Sequence, residues 1–167
     1  MVYRWRCGEG TAVAANGKAS RYQRIVDQLT ELVGKSSDPV ARMATVAAVL
    51  HHKQPVFSWT GFYLLRDGDL VVGPYQGPVA CLVLLPRHTG VCWAGVDRGE
   101  TVVVPDVHAF PGHIACDPRS RSEIVVPLRD AQGRVVGVLD VDSTRLAAFD
   151  EVDAHWLERV AALVFHS

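Results

Sequence analysis

The sequence predicts a single α+β domain, in which an antiparallel sheet is flanked by helices from both ends of the chain. Two helical patterns open the chain, short strands joined by tight turns follow, and a last helical pattern closes it. Strands joined by hairpins run antiparallel, and helices before and after them can cover a face of their sheet. With 167 residues, 49% of them hydrophobic, the chain can bury a core without a metal or a disulfide.

The first predicted helix spans residues 20–34. Its apolar side chains recur every three or four positions, and Gly34 ends the pattern. A second amphipathic pattern follows in residues 36–52, where Asp38 can cap the first turn and Pro39 suits the first helical position. Together the two patterns predict a helical hairpin at the start of the domain.

Apolar and alternating patterns predict six strands in the middle of the chain. The predicted segments are a hairpin over 57–73, a third strand at 80–85, a short helix at 89–99, a fourth strand at 100–106, a hairpin over 122–143 and a closing helix at 149–165. The first hairpin turns at Asp67 and Gly68, a pair typical of two-residue turns. Asp150 is the expected N-cap of the closing helix.

The start and the charge of the chain disfavour several classes of protein. Residues 1–18 carry early charges and no long apolar stretch, so they do not resemble a secretion signal. We expect a mobile segment there and one domain over 19–167. No apolar run approaches the ~20 residues that cross a membrane. The 17 Lys and Arg against 18 Asp and Glu argue against binding to nucleic acid or to an anionic membrane, and we expect a cytoplasmic protein.

A loop of about sixteen residues, 105–120, precedes the last hairpin, and ordered loops of this length are usually functional. It holds Cys116 close to His113 and Arg119, and cationic neighbours favour the reactive thiolate. Asp117 acts in the opposite direction. A free cysteine is often an inert small residue, but inert cysteines prefer apolar surroundings, so this polar loop indicates a functional thiol.

The other three cysteines are Cys7, Cys81 and Cys92, and the chain has no C-x-x-C pair that would indicate a zinc ribbon or a thioredoxin motif. Cys92 opens the predicted helix at 89–99, where the helix dipole favours a thiolate. Local physics alone therefore favours it as the reactive thiol, whereas its apolar neighbours favour a core position. Cys81 lies in the apolar third strand and reads as a core residue.

Three acids and two aromatic residues form further candidate groups. Asp140 and Asp142 are two positions apart on a predicted strand, so they share a face. Two such carboxylates repel each other unless a cation or a shared proton relieves them, and the apolar run before them predicts a central strand. Glu123 lies near the start of the preceding strand. Trp59 and Tyr63 also share a strand face, which by itself is more typical of a core.

A metal site is a competing interpretation of the long loop. His108, His113 and Cys116 have a loosely ligand-like spacing, and zinc would need a fourth group such as His88 or Asp106. Nothing in this spacing is specific. We therefore expect neither a metal nor another cofactor.

Several longer motifs occur together in chain order: WTGFYLL, GPYQGPVAC, GVCWAG, VVPDVHAFPGHIACDPRSRSEIVVPL and GVLDVDS. With these motifs the chain resembles the free methionine-(R)-sulfoxide reductases, a family of single GAF domains, over residues 20–164. The resemblance implies a six-stranded antiparallel sheet with helices on both faces. It also implies reduction of free methionine-(R)-sulfoxide, and not of the same group within proteins.

The resemblance implies a role for each candidate residue. In the family's motifs Cys116 matches the nucleophile, Cys81 the resolving cysteine, and Cys92 a third cysteine that can act as an alternate resolver. The implied pocket residues are the acids Glu123, Asp140 and Asp142 and the aromatics Trp59 and Tyr63. Trp93 stands where the family commonly has glycine, a departure that concerns Cys92 alone.

The implied mechanism passes through a sulfenic acid on Cys116 and a disulfide that thioredoxin reduces. The free amino acid and thioredoxin are the expected partners, and a homodimer is compatible with the resemblance. A different class of function stays open, because a fold does not determine chemistry: a GAF sensor that binds a small molecule without reacting with it. A bilin-binding version is disfavoured, because Asp117 follows Cys116 where such domains often have histidine.

Overall fold

The computed structural model describes residues 9–165, with side chains from residue 17 onward. Within this range the helices and strands are α1 (Glu9–Val33), α2 (Pro39–Lys53), β1 (Trp59–Arg66), β2 (Asp69–Gln76), α3 (Val91–Arg98), β3 (Val102–Val104), β4 (Ser122–Arg129), β5 (Val135–Ser143) and α4 (Glu151–Ala162), with a short 3₁₀ turn at Val107–Ala109. In this part of the chain no helix combines the length and apolar character that a membrane span requires.

The predicted helical hairpin is confirmed, and so are the predicted N-caps of α2 and α4. Asp38 accepts hydrogen bonds from the backbone of Val40 and Ala41 at the start of α2. Asp150 caps α4 in a reciprocal pair with Asp153. The first helix begins earlier than predicted, at Glu9, and residues 1–8 of the expected mobile segment lie outside the described residues.

Five strands, in the order β2-β1-β5-β4-β3, form one antiparallel sheet in the described residues. The prediction of six strands is wrong at residues 80–85, where the chain makes only an isolated bridge between Val71 and Val83. Two backbone hydrogen bonds, Val72 to Leu82 and Leu84 to Leu70, tie this stretch to β2. Its flanking prolines lack an N–H group, which limits the ladder on both sides.

The sheet has two differently covered faces. Helices α1, α2 and α4 pack on one face, here called the helical face, around an apolar core that includes Phe62 and Leu139. Helix α3 and the loops 77–90 and 105–121 cover the other, the pocket face, where Val125 belongs to a second apolar cluster. The expectation of helices on both faces is therefore confirmed.

The strand register brings the candidate residues into adjacent rows on the pocket face. Asp142 pairs with Trp59 on β1 and with Glu123 on β4. Asp140 pairs with Gly61 and shares the face of Asp142, as its two-residue spacing predicts. A Cβ atom at Gly61 would lie 2.6 Å from the Trp59 ring, so the ring occupies space that only glycine leaves free.

Candidate active site

A small cavity of about 40 Å³ lies on the pocket face, below α3 and between the loops 77–90 and 105–121. Seven of the eight residues predicted for the site line it, namely Trp59, Tyr63, Cys92, Cys116, Glu123, Asp140 and Asp142. The eighth, Cys81, is bonded to Cys116 at the rim. The structure thus assembles the whole predicted set, although its members are distributed over three strands, one helix and two loops.

A disulfide joins Cys81 to Cys116 across this rim, with a Cα–Cα distance of 5.5 Å. The separation lies within the usual range for a bridge. Cys81 lies in an irregular segment, so the prediction that it is fixed within a strand is wrong. Both cysteines are carried by loops, and the hydroxyl of Tyr63 donates a 3.0 Å hydrogen bond to the carbonyl of Cys81.

Cys92 has a different environment from the bridged pair. It is buried in the first turn of α3, with its Sγ 3.9 Å from Oε1 of Glu123. Burial and the negative charges of Asp140 and Glu123 raise the pKa of this thiol well above its ordinary value. Burial and the neighbouring acids thus act against the thiolate that the helix dipole would favour, and the reactivity of Cys92 stays a prediction.

The three acids Glu123, Asp140 and Asp142 lie close together in a buried setting that disfavours their charged forms. Burial, and then the charge of neighbouring acids, raises the pKa of Glu123 and of Asp140 well above the ordinary range. Burial also raises the pKa of Asp142 to about 6, although a hydrogen bond with Ser120 opposes the shift. These shifts favour the protonated form of the carboxyl groups in this acid group.

An aromatic wall lies beside the acids. The ring of Trp59 stacks on Tyr63 and on Tyr75, at centroid distances of 5.8 and 5.3 Å. Trp59 and Tyr63 are almost completely buried. The cavity thus has an acidic side and an apolar aromatic side, an arrangement suited to a ligand with one charged and one apolar end.

Comparison with known proteins identifies this arrangement. Residues 19–164 match the GAF domain family. The chain is 39% identical to the free methionine-R-sulfoxide reductase of Escherichia coli over 145 residues, which is 87% of each chain. The solved structure of the free methionine-R-sulfoxide reductase of Neisseria meningitidis in complex with its substrate is 42% identical, with a TM-score of 0.83, over 98% of this chain and 92% of that one. The chain belongs to the free methionine-R-sulfoxide reductase family.

Family membership confirms the resemblance seen in the motifs. A solved relative with the same fold is named as a sensor and not as a reductase. A putative GAF sensor protein of Burkholderia vietnamiensis is 43% identical over 88% of this chain and 92% of that one, with a TM-score of 0.83.

Two further polar residues line the pocket: Ser120, which the sequence did not indicate, and His113, which the sequence placed near Cys116. Ser120 is buried at the end of the long loop, where it faces Asp142. The imidazole Nδ1 of His113 lies 3.8 Å from Glu123 Oε2, and burial lowers its pKa. Ser120 follows no periodic pattern, and only its short distance from Glu123 in the chain could have indicated it. Arg119, expected beside the thiol, instead forms a bidentate pair with Asp117.

The metal-ligand set suggested by sequence spacing is not assembled in this family member. The sulfur of Cys116 is in the disulfide, and the rings of His108 and His113 lie 6.3 Å apart. A different group of potential ligands is compact: one ligand atom each from Cys92, Glu123 and Asp140 lies within 4.8 Å of the others.

Proposed function

We propose that this chain reduces free methionine-(R)-sulfoxide to methionine with the thiols of Cys116 and Cys81. The observation that carries the proposal is the Cys81–Cys116 bridge at the rim of a cavity with an acidic and an aromatic side. A redox-active pair needs two sulfurs that can meet, and this pair lies beside a site for a polar, sulfur-containing ligand. The relatives that bear the same activity in their names support the reaction.

Substrate binding uses the two sides of the cavity differently. In the proposal, an ionised acid of the group Glu123, Asp140 and Asp142 pairs with the free ammonium of the amino acid. Trp59 contacts the S-methyl group, an interaction of roughly 0.3–1.5 kcal/mol for sulfur beside an aromatic ring. The oxygen and the methyl group on the sulfoxide sulfur then face unlike walls, which distinguishes the R from the S form.

The chemistry begins with attack of the Cys116 thiolate on the sulfoxide sulfur. A protonated acid of the same group donates its proton to the oxygen. The oxygen passes to Cys116 as a sulfenic acid, and methionine leaves as the thioether. The Cys81 thiol then attacks the sulfenic sulfur, the disulfide forms and water is released. An external dithiol, which we propose to be thioredoxin, restores both thiols by exchange.

Free and blocked substrates test the proposal directly. The protein should consume free methionine-(R)-sulfoxide with dithiol present, and it should neglect the same group inside a peptide, because an amide nitrogen leaves a buried carboxylate unpaired. The S form of the free amino acid should also be a poor substrate. Comparable rates for the peptide, or for the two epimers, would refute the binding mode.

The second candidate is a sensor that binds a small ligand without chemistry, and the Burkholderia relative is the observation that favours it. The two functions separate in one assay. A sensor binds ligand with unchanged thiol content, whereas the reductase converts two thiols into a disulfide for every methionine formed. The cytoplasmic location and the homodimer stay predictions.

A further inference from the structure

A buried cluster in the cavity has no complete explanation in the proposed reaction. Cys92 from α3, Glu123 from β4 and Asp140 from β5 place one ligand atom each within 4.8 Å of the others. All three residues are about 95% buried. The bridge between Cys81 and Cys116 completes the redox chemistry without Cys92. This thiol is therefore buried against two acids for a reason other than that disulfide.

A second observation points to a ligand at the same place. Oδ1 of Asp140 is buried and accepts no hydrogen bond from any described residue, and Asp140 lines the cavity. A buried acceptor without a partner is unfavourable, and more so when it is charged. A bound cation would satisfy this oxygen and relieve the repulsion within the cluster.

The geometry suits a small tetrahedral ion. With bonds of about 2.3 Å to sulfur and about 2.1 Å to oxygen, two ligand atoms on one such ion lie about 3.4–3.6 Å apart. The observed distance from Cys92 Sγ to Glu123 Oε1 is 3.9 Å. Side-chain shifts of a few tenths of an ångström would close this pair around an ion, and the cavity of about 40 Å³ leaves room for water at a fourth position.

We propose that Cys92, Glu123 and Asp140 bind a thiophilic divalent cation of the Zn²⁺ type, which excludes the substrate from the pocket. The thiolate ligand selects such ions over Mg²⁺ and Ca²⁺, which prefer oxygen alone. Binding releases the thiol proton, and any proton shared by the two carboxyl groups, to solvent. The ion then occupies the acids that would otherwise receive the substrate ammonium. This inhibitory effect, unlike the binding itself, rests on the proposed function.

Co²⁺ is the probe, because a cobalt–thiolate bond has its own ultraviolet absorption. The titration uses full-length oxidised protein carrying Cys7→Ser, in which Cys81 and Cys116 are linked and Cys92 is the remaining thiol. One equivalent of Co²⁺ should produce the thiolate band, and Zn²⁺ should remove it by displacement. Absence of a thiolate band, with the protein folded, would overturn the site.

Matched variants assign the ligands. Cys92→Ser should abolish the band, and Asp140→Asn, which keeps the shape of the side chain, should weaken binding by at least about 10²-fold, the upper end of the loss for a supporting residue. Asp97→Asn is the control, because Asp97 is an exposed acid on the same helix, and its affinity should match that of the unchanged protein. Equal Co²⁺ affinity in Asp140→Asn and Asp97→Asn would contradict the proposed ligand set.

Kinetics then test the competition. With thioredoxin as reductant, Zn²⁺ should raise KM for methionine-(R)-sulfoxide and leave kcat unchanged. The KM of Cys92→Ser should not respond to Zn²⁺. Persistent inhibition in Cys92→Ser would assign the zinc effect to thiols other than Cys92 and overturn the proposal. If no variant turns over substrate, the proposed function has failed, and the cobalt spectrum decides the metal site alone.

Discussion

The two faces of the sheet are built from the same strands with opposite chemistry. On the helical face, β4 and β5 bury the apolar side chains Ile124, Val126, Leu128, Leu139 and Val141 in the core, with two small serines, Ser122 and Ser143, at the strand ends. On the pocket face the same two strands bury Glu123 and Asp140, one residue away from those positions. Since strand residues alternate between faces, one short sequence supports both a dry core and an acidic pocket.

The difference separates stability from function. Burying a large apolar side chain contributes about 1.5–3 kcal/mol, whereas an ionised carboxylate in the same setting costs several kcal/mol. The helical face therefore holds an almost wholly apolar core, whereas the pocket face combines its own apolar cluster with acids that reduce stability when they are ionised. Changes on one face should leave the property of the other face almost untouched.

The largest expected effect is on the pocket face. Cys116→Ser should lower turnover by at least about 10³-fold, as for other lost nucleophiles. Under reducing conditions it should change the free energy of unfolding by less than ~0.5 kcal/mol. NADPH consumption in a thioredoxin-coupled assay and urea unfolding measure the two quantities. Ala115→Ser, on the same loop and exposed, should keep its activity. Near-normal activity in Cys116→Ser would remove Cys116 from the mechanism.

The second effect, that of Cys81→Ser, separates reduction of the sulfoxide from regeneration of the enzyme. In Cys81→Ser the first turnover should survive and yield about one methionine per enzyme, from the single sulfenic acid formed. Repeated turnover with thioredoxin should fall sharply. Mass spectrometry of quenched protein identifies the linked peptides in the unsubstituted chain. A Cys92–Cys116 link, with Cys81 recovered as a free thiol, would reverse the assignment.

The third prediction concerns the helical face. Leu157 is completely buried on α4, and Leu157→Ala should lower the free energy of unfolding by about 2–5 kcal/mol. The folded variant should keep kcat/KM. Leu146→Ala is the control, because Leu146 is 51% exposed and its removal should change stability by less than ~0.5 kcal/mol. A tenfold lower kcat/KM in folded Leu157→Ala would break the separation of the faces.

The smallest effect is the pH dependence of stability. The pKa of Asp142 is raised from 3.8 to about 6, so the folded protein holds a proton that the unfolded chain has lost. Its stabilising contribution is complete below pH 3.8 and is lost as the pH rises to about 6. In Asp142→Asn, the loss of unfolding free energy over this pH range should be smaller by about 1–3 kcal/mol. Glu123 and Asp140 face Asp142 from the strands, and Asp117 faces it from the loop, so their titrations persist in the variant.

Urea unfolding at several pH values, in metal-free buffer, measures this decline. Asp97→Asn provides the baseline, because Asp97 lies outside the pocket. An equally steep loss of stability between pH 4 and pH 6 in Asp142→Asn and in the unsubstituted chain would show that Asp142 does not hold the proton.

Much of the fold was predictable because local rules agree with the tertiary structure. The Asp67-Gly68 turn has both residues at positive φ, 52° and 83°, as a two-residue hairpin requires. The caps Asp38 and Asp150 were equally local. The third strand was not predictable in this way, because residues 80–85 have an apolar strand composition but leave Leu82 and Leu85 largely exposed. This segment is instead bonded through Cys81 to a cysteine 35 residues away in the chain, a contact that no local pattern shows.

The sequence predicts which residues form the site, but not the contacts that shift their pKa values. Periodicity places Asp140 and Asp142 on one face, and the family motifs point to Cys116 and Cys81. No local pattern shows that α3 brings Cys92 to within 3.9 Å of Glu123, or that burial and the neighbouring acids raise the pKa of its thiol. That contact joins residues that are 31 positions apart. Burial of this kind is a property of the assembled sheet.

The bridge between the loops 77–90 and 105–121 also imposes an order on events. Ala80, next to Cys81, and Ile114, two residues before Cys116, both line the cavity, so the bridge joins two loops that form its wall. A methionine still in the cavity would obstruct formation of the bridge, and the bridged loops would obstruct entry of a new sulfoxide. Product should therefore depart before the reductant arrives, and the next substrate should enter only after the reductant has left. Initial rates measured at varied concentrations of sulfoxide and of reductant should then give parallel double-reciprocal lines, the pattern of a ping-pong mechanism.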